Sequence, residues 1–405
     1  IGSGLVGSEM CIRDREYELG LAEPSLIVND GIDYGCRPNI EAAYGDKLRP
    51  MDAFKDSAPA ELVDCVGHDD LMVLMFTSGT TGRSKAVMLS ERNFFTTVEC
   101  QVKFGDAMLD YKHEHMPEDK NDVLSNFAIL PLFHLGTFIC LFVWACKGWA
   151  LNLSADIRDF YRDLGLMHSD AIAVAPMLME AIYKDVKRGR RARLNGVWNP
   201  CGSSAMFDGA MLAELAQQGM MITQVYGMTE TCGDGIINYE QDEKHIRAVG
   251  KPDDHAEYKL DETGEICIRG GCVMLGYYKD PEATAEVLDA DGWFHTGDLA
   301  RVDEDGFYYI TGRKKNIIIL DNGENVSPEE LENLLSKCEA VKECIVREKG
   351  KKICAVVYCG EADQQTVRDF ITETNRTLPL YKRMSAVEFS TEPLPRTGTG
   401  KLLRK

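Results

Sequence analysis

LMVLMFTSGTTGRSKAVMLSERN, residues 71–93, decides how the rest of the chain is read. Residues 71–77 are apolar apart from Thr77 and predict a buried strand. From Thr77 to Lys85 the composition changes to two glycines, five hydroxyl side chains (Thr77, Ser78, Thr80, Thr81, Ser84) and two cations, Arg83 and Lys85. Gly79 and Gly82 allow positive φ and a close backbone approach to a ligand. Successive N–H groups in such a loop form an anion-binding concavity, to which hydroxyls and Lys85 add donors and charge. That is the chemistry of a phosphate cradle, with an ordinary turn as the plain alternative. The P-loop spacing does not fit, because Arg83 and Ser84 separate Gly82 from Lys85.

A chain of 405 residues is too long for one ordinary core, so two or more domains are expected. A formal net charge of −20 argues against a general nucleic-acid binder but not against a local basic pocket for a polyanion. The fourteen cysteines include no C-x-x-C pair, which favours reduced thiols and a cytoplasmic location over a zinc cluster or disulfide framework. His113 and His115 lie in YKHEHMPEDKN, which reads as a charged loop. The longest apolar run, residues 135–146, is too short to span a bilayer and reads as a core segment. Residues 1–15 resemble a non-native leader, and the large domain is expected to be incomplete at its N-terminus.

Ser90 is a candidate N-cap for a helix reaching about Lys103, where Gly105 weakens the pattern. Residues 127–130 read as a strand stopped by Pro131, with His134 following in an apolar setting. Residues 171–175 form a further strand pattern, and MLMEAIYKDVKR a helix. Then come a strand at 196–199, a turn at CGSS, a helix over 208–218 and a strand ending in QVYG. This alternation predicts an α/β protein with mostly parallel sheets, with ligands beyond the carboxyl ends of the strands. Residues 250–319 hold many short β pieces, including DGWFHTGDL and DEDGFYYITGRKK. Beyond them NIIIL and KICAVVYCG read as strands and DQQTVRDFITETN as a helix. Ser327, Pro328 and Glu330 carry a capping-box pattern.

Five strings in this order resemble the adenylate-forming superfamily of acyl-CoA synthetases, adenylation domains and luciferases. TSGTTG-x-x-K (Thr77, Ser78, Gly79, Thr80, Thr81, Gly82, Lys85) is similar to its phosphate loop, with Ser84 where most members carry proline. LPLFHLGT is similar to the segment whose histidine, here His134, lies between nucleotide and acyl pockets. CGSSAM aligns with the adenine-pocket segment, Ser203, Ser204 and Ala205 replacing the commoner residues. QVYGMTET matches YG-x-TE: Tyr226 and Gly227 are implied at adenine, Thr229 at the α-phosphate and Glu230 at Mg²⁺. Asp298 and Arg313 match the ribose-binding positions, with a turn-forming Asp and a surface Arg as the plain readings. Lys315 matches the hinge, Lys401 in PRTGTGK the terminal lysine, and Gly323 the residue that meets the pantetheine arm.

The resemblance implies a large multi-subdomain N-terminal domain with mostly parallel sheets plus a β-rich part (residues 16–312). A hinge follows at 313–315, then a small mobile C-terminal α/β domain over 316–405. It implies ATP, Mg²⁺ and coenzyme A acting on a carboxylate in two steps, acyl-AMP formation with pyrophosphate release and then thioester formation. APMLMEAIYKDVKR resembles long-chain fatty acyl-CoA synthetases, and His134 stands where amino-acid-activating members commonly carry Asp. Both favour a medium- to long-chain fatty acid, with peripheral membrane contact compatible. A ligase loading a carrier protein and a truncated, non-catalytic nucleotide binder are the alternatives.

Overall fold

The structure, a computed structural model, describes residues 17–29, 37–54, 67–77, 84–130, 132, 134–154, 156–203, 207–233, 235–320, 324–350, 352–395 and 402. Its contacts divide the chain into two compact units. The first comprises Ile1–Tyr258, Ile268–Phe294 and Glu304–Tyr308, and the second Lys259–Cys267, His295–Asp303 and Tyr309–Lys405. The architecture is mixed α/β, as the strand–helix alternation predicts, with a large N-terminal part and a smaller C-terminal part, as the resemblance implies.

The first unit is built on a six-stranded sheet in the order Gly235–Asn238, Thr223–Gly227, Asn199–Ser203, Ala171–Val174, Ser125–Ala128, Ala150–Leu153. All neighbours run parallel except the first pair. Side-chain alternation sends Ala171 into one core cluster, and Ile172 and Val174 into another. Helix Leu135–Lys147 supplies Leu135, Ile139 and Val143 to the first cluster. Helices Pro176–Lys187 and Gly209–Gln217 supply Leu178, Ile182, Leu212 and Leu215 to the second. Helices on both faces explain why these strands read as apolar runs. The strand expected at 196–199 instead starts at Asn199 and runs through the cysteine, glycine and first serine of CGSS. Pairing with both neighbouring strands overrides the local turn propensity of that string.

The segment at 71–77 is a strand, but its burial differs from expectation: Leu71 and Met72 are 42 % and 45 % exposed. It is the edge of a three-stranded antiparallel sheet, next to Lys85–Ser90, which pairs in turn with Gly276–Tyr277. Lys85–Ser90 has no counterpart in the sequence reading. After it, Ser90 caps helix Glu91–His115: its Oγ accepts from Asn93 N–H, and Asn93 Oδ1 accepts from Ser90 N–H. The helix runs well past Lys103. Gly105 lies inside it, with the Trp149 ring 3.2 Å from where a side chain would begin. His113 and His115 therefore lie in the last helical turn rather than a loop, with His113 Nε2 2.7 Å from Asp122.

In the second unit, strands Glu343–Lys349, Lys352–Tyr358 and Ala386–Ser390 form a sheet packed with helices Pro328–Leu335 and Gln364–Thr377. Leu331, Leu335, Val346, Ala355 and Val367 are in its core. Ser327 precedes the first of these helices but does not cap it. Its hydroxyl donates to Thr311 O at 2.7 Å, while Glu330 pairs with Lys382. Long-range partners have taken the side chains that a local capping box would use. Among the described residues no helix is long and apolar enough to cross a membrane.

Candidate active site

The first unit gathers an ammonium and a carboxylate around one ring. Thr77 ends the strand that enters the glycine-rich loop and Lys85 begins the strand that leaves it, and the two are cross-strand partners. The loop's ends are thus held a strand spacing apart. Ser78, Gly79, Thr80, Thr81 and Gly82 lie outside the described residues. Lys85 Nζ rests 4.5 Å from the centroid of the Tyr277 ring. The Tyr277 hydroxyl, 2.9 Å away, donates to Glu230 Oε1. Burial first, then the charge of Glu230, push the Tyr277 phenol well above its ordinary range, so at neutral pH it is a protonated donor.

Glu230 sits in a single helical turn, Thr229–Thr231, just beyond the carboxyl end of strand Thr223–Gly227. Thr231 folds that turn back: Met228 N–H donates to its Oγ, and its hydroxyl donates to Met228 O. Met274 N–H donates to Glu230 O, Leu275 N–H to Met88 O and Tyr278 N–H to Ala86 O, so the backbone around Tyr277 laces the glutamate turn to the Lys85 strand. Glu230 Oε2 carries no hydrogen bond among the described residues. A carboxylate with one oxygen tethered and the other open is a hard oxygen donor that fits Mg²⁺. Tyr226, 9 % exposed, and Gly227 pair with Ile236 and Gly235. Ser203 is beside them, paired with Val225, whereas Ser204 and Ala205 lie outside the described residues. His134 occupies the N-cap position of helix Leu135–Lys147 without a side-chain capping bond. It is exposed rather than set in an apolar environment, because the buried positions begin one residue later at Leu135.

In the second unit Asp298 is only 5 % exposed and lies on strand Phe294–Val302, not on a turn. The irregularity that mimics a turn in the sequence is Gly297, at φ +73° within the strand. Its N–H donates to Glu265 Oε1 at 2.7 Å. Arg313 Nε stands 2.7 Å from Asp298 Oδ1, and Asp298 N–H donates to Thr296 Oγ. Lys314 reaches the other Glu265 oxygen at 2.6 Å, and this bond, with Asp261 nearby, raises its pKa. Thr296, Gly297, Arg313, Lys314 and Lys315 line a cavity of about 340 Å³. A cavity of about 370 Å³, lined by Tyr161, Arg162 and Arg193 among others, contains none of the motif residues. Lys315 is exposed in the turn Lys314–Asn316, while Gly323 and Lys401 lie outside the described residues.

Sequence reading did not single out Tyr277, Glu265 or Lys314. Tyr277 is 47 residues from Glu230 along the chain, and nothing in GYYKDPEA signals a polar partner. Glu265 shows more: an acidic residue at the head of the strand pattern EICIRG, whose strand Glu265–Gly270 buries its first four positions. A buried carboxylate needs partners, and it finds Gly297 and Lys314.

Residues 23–278 match the AMP-binding enzyme family, and residues 330–401 the AMP-binding enzyme C-terminal domain. The chain is 32 % identical to feruloyl-CoA synthase of Amycolatopsis sp over 89 % of its own length and 74 % of that protein's. It is 28 % identical to 4-coumarate–CoA ligase 3 of rice, Oryza sativa, over 100 % and 73 %. With long-chain-fatty-acid–CoA ligase of Salmonella typhimurium it shares 30 % over 83 % and 61 %. The fold is that of o-succinylbenzoate CoA synthetase from Bacillus subtilis in complex with ATP and magnesium, with TM-score 0.76 and 24 % identity over 97 % of this chain and 81 % of that one. The chain belongs to the AMP-binding enzyme family, among its adenylate-forming acid–CoA ligases.

Proposed function

We propose that the protein activates a carboxylic acid with ATP to an acyl-adenylate, releasing pyrophosphate, and then passes the acyl group to the thiol of coenzyme A, releasing AMP. The observation that carries this reading is the pairing, on one ring, of a cation at the glycine-rich loop with a carboxylate in the YG-x-TE turn. Attack of one anion on another requires positioning and charge neutralisation rather than a covalent enzyme intermediate. Lys85 and the loop donors serve the β- and γ-phosphates, Thr229 the α-phosphate and Tyr226 the adenine. Glu230 would hold Mg²⁺, whose charge offsets that of the phosphates when bound. Asp298 accepts from the ribose hydroxyls and Arg313 donates beside it. Lys401 meets the carboxylate and α-phosphate, Lys315 is the hinge, Gly323 faces the pantetheine arm, and His134 stands between nucleotide and acyl pockets.

For the acyl group we favour a medium- to long-chain fatty acid, supported by the 176–187 helix string and by His134 in place of an ammonium-binding Asp. A hydroxycinnamic acid is the second reading, supported by the names of the feruloyl and 4-coumarate relatives. Pyrophosphate release with ATP and Mg²⁺, over graded fatty acids, 4-coumarate and ferulate, with and without coenzyme A, tests both. Fatty-acid-dependent release with CoA-dependent thioester is the expected result. Release only with the aromatic acids replaces the substrate, and none with any acid overturns the reaction.

A further inference from the structure

Tyr277 belongs to none of the sequence motifs and is given no role of its own in the reading above, yet it touches both the group assigned there to the phosphates and the group assigned to Mg²⁺. It is 6 % exposed, and its backbone is fixed by pairing with Val87 and by its N–H donating to Thr284 Oγ at 2.9 Å. One face of the ring seats Lys85 Nζ at 4.5 Å, and the hydroxyl holds Glu230 Oε1 at 2.9 Å. No ion pair joins Lys85 to Glu230 among the described residues. That separation needs a cause. An ammonium on a flexible four-carbon stem and a carboxylate that share a neighbour attract each other strongly when both are partly buried. Joined directly, they would cancel: the cation would be lost to phosphate, and the anion to metal.

We infer that Tyr277 is a positioning residue that keeps the phosphate-binding Lys85 and the metal-binding Glu230 apart and aimed, its ring seating the one and its hydroxyl tethering the other. The inference rests on the roles given to Lys85 and Glu230 above. The two halves of the side chain do separable work. The ring supplies a cation–π seat that leaves the ammonium's remaining donors free. The hydroxyl makes a charge-assisted bond to one carboxylate oxygen, which orients the other.

Calorimetric ATP affinity of the full chain, measured in excess Mg²⁺ and again in EDTA, tests the two halves independently of turnover. Tyr277→Phe keeps the ring, so ATP affinity in EDTA should match wild type. The gain in affinity that Mg²⁺ confers should shrink about tenfold, as expected for loss of one hydrogen bond to a charged group. Tyr277→Leu should weaken ATP in EDTA as well, because Lys85 is then drawn to Glu230. Glu230→Gln, measured alongside, separates this inference from the reading beneath it. Wild-type Mg²⁺ dependence in Tyr277→Phe with its loss in Glu230→Gln overturns the role of Tyr277 alone. Wild-type dependence in both overturns the metal role of Glu230 and the inference with it. Unchanged affinity in EDTA for Tyr277→Leu overturns the spacer role of the ring. Melting curves of all three variants establish that the folded chain is being compared, and Tyr277→Phe, which conserves the buried volume, carries the test if Tyr277→Leu does not fold.

Discussion

At Asp298 a carboxylate almost without solvent is held against an arginine that is itself partly exposed. Arg313→Leu removes this ion pair, and because the arginine is 42 % exposed and screened by solvent the loss should cost about 1 kcal/mol. We expect a lower melting temperature together with a KM for ATP raised more than about tenfold, equivalent to about 1.4 kcal/mol of lost binding. Arg313→Lys should recover part of the stability but less of the KM, since a point charge does not reproduce the planar donor fork. An ATP KM within twofold of wild type in Arg313→Leu would remove Arg313 from nucleotide binding (a twofold change being about 0.4 kcal/mol). His245 offers a pH test on the first unit. It lies between Asp242 and Asp305 and stacks on Phe307, and its pKa is raised chiefly by the Asp242 bond. A raised histidine contributes stability that is complete below its ordinary value of 6.5 and is lost as pH rises through the folded value. The melting temperature should therefore fall as pH climbs above 6.5, and this limb should flatten in His245→Gln.

Two serines with similar sequence signals behave differently once their elements are in place. Ser90 caps the long helix Glu91–His115 through a reciprocal bond with Asn93. Ser90→Ala should cost about 1 kcal/mol, read as a lower urea midpoint of the first unit. Ser327 carries the more complete capping-box pattern, yet its hydroxyl bonds Thr311 O and Glu329. The elements legible from sequence were those with strong local period or flanking chemistry: the strand at 71–77, the helix at 176–187, the strand at 352–358 and the helix at 364–377. Those misread were decided by partners distant in the chain. Gly105 sits inside a helix against the distant Trp149 ring, and the CGS string is a strand because two neighbours pair with it. Lys85–Ser90 escaped notice because its register depends on both Leu71–Thr77 and the far Gly276–Tyr277.

At the scale of the whole chain, the proposed reaction divides between a nucleotide-holding part and a terminal lysine. Lys401→Ala should therefore separate the half-reactions. Acid-dependent pyrophosphate release should drop by about a hundredfold or more, while thioester formation from supplied acyl-adenylate and coenzyme A stays within about twofold. Equal loss of both steps would refute the role given to Lys401. The order of the motifs, the alternation of strand and helix and the acidic composition were all determined by sequence alone, because each rests on residue type and short-range spacing. Sequence also placed Thr77, Lys85, Glu230, Asp298 and Arg313 among the candidates through strings a few residues long. Only the tertiary structure decided what those side chains touch. Tyr277 between Lys85 and Glu230, and Glu265 beneath Gly297 and Lys314, are contacts across tens to hundreds of residues. A hydrogen bond or a cation–π seat requires a few ångströms of approach, and that distance is set by strand register and packing, which local sequence does not carry.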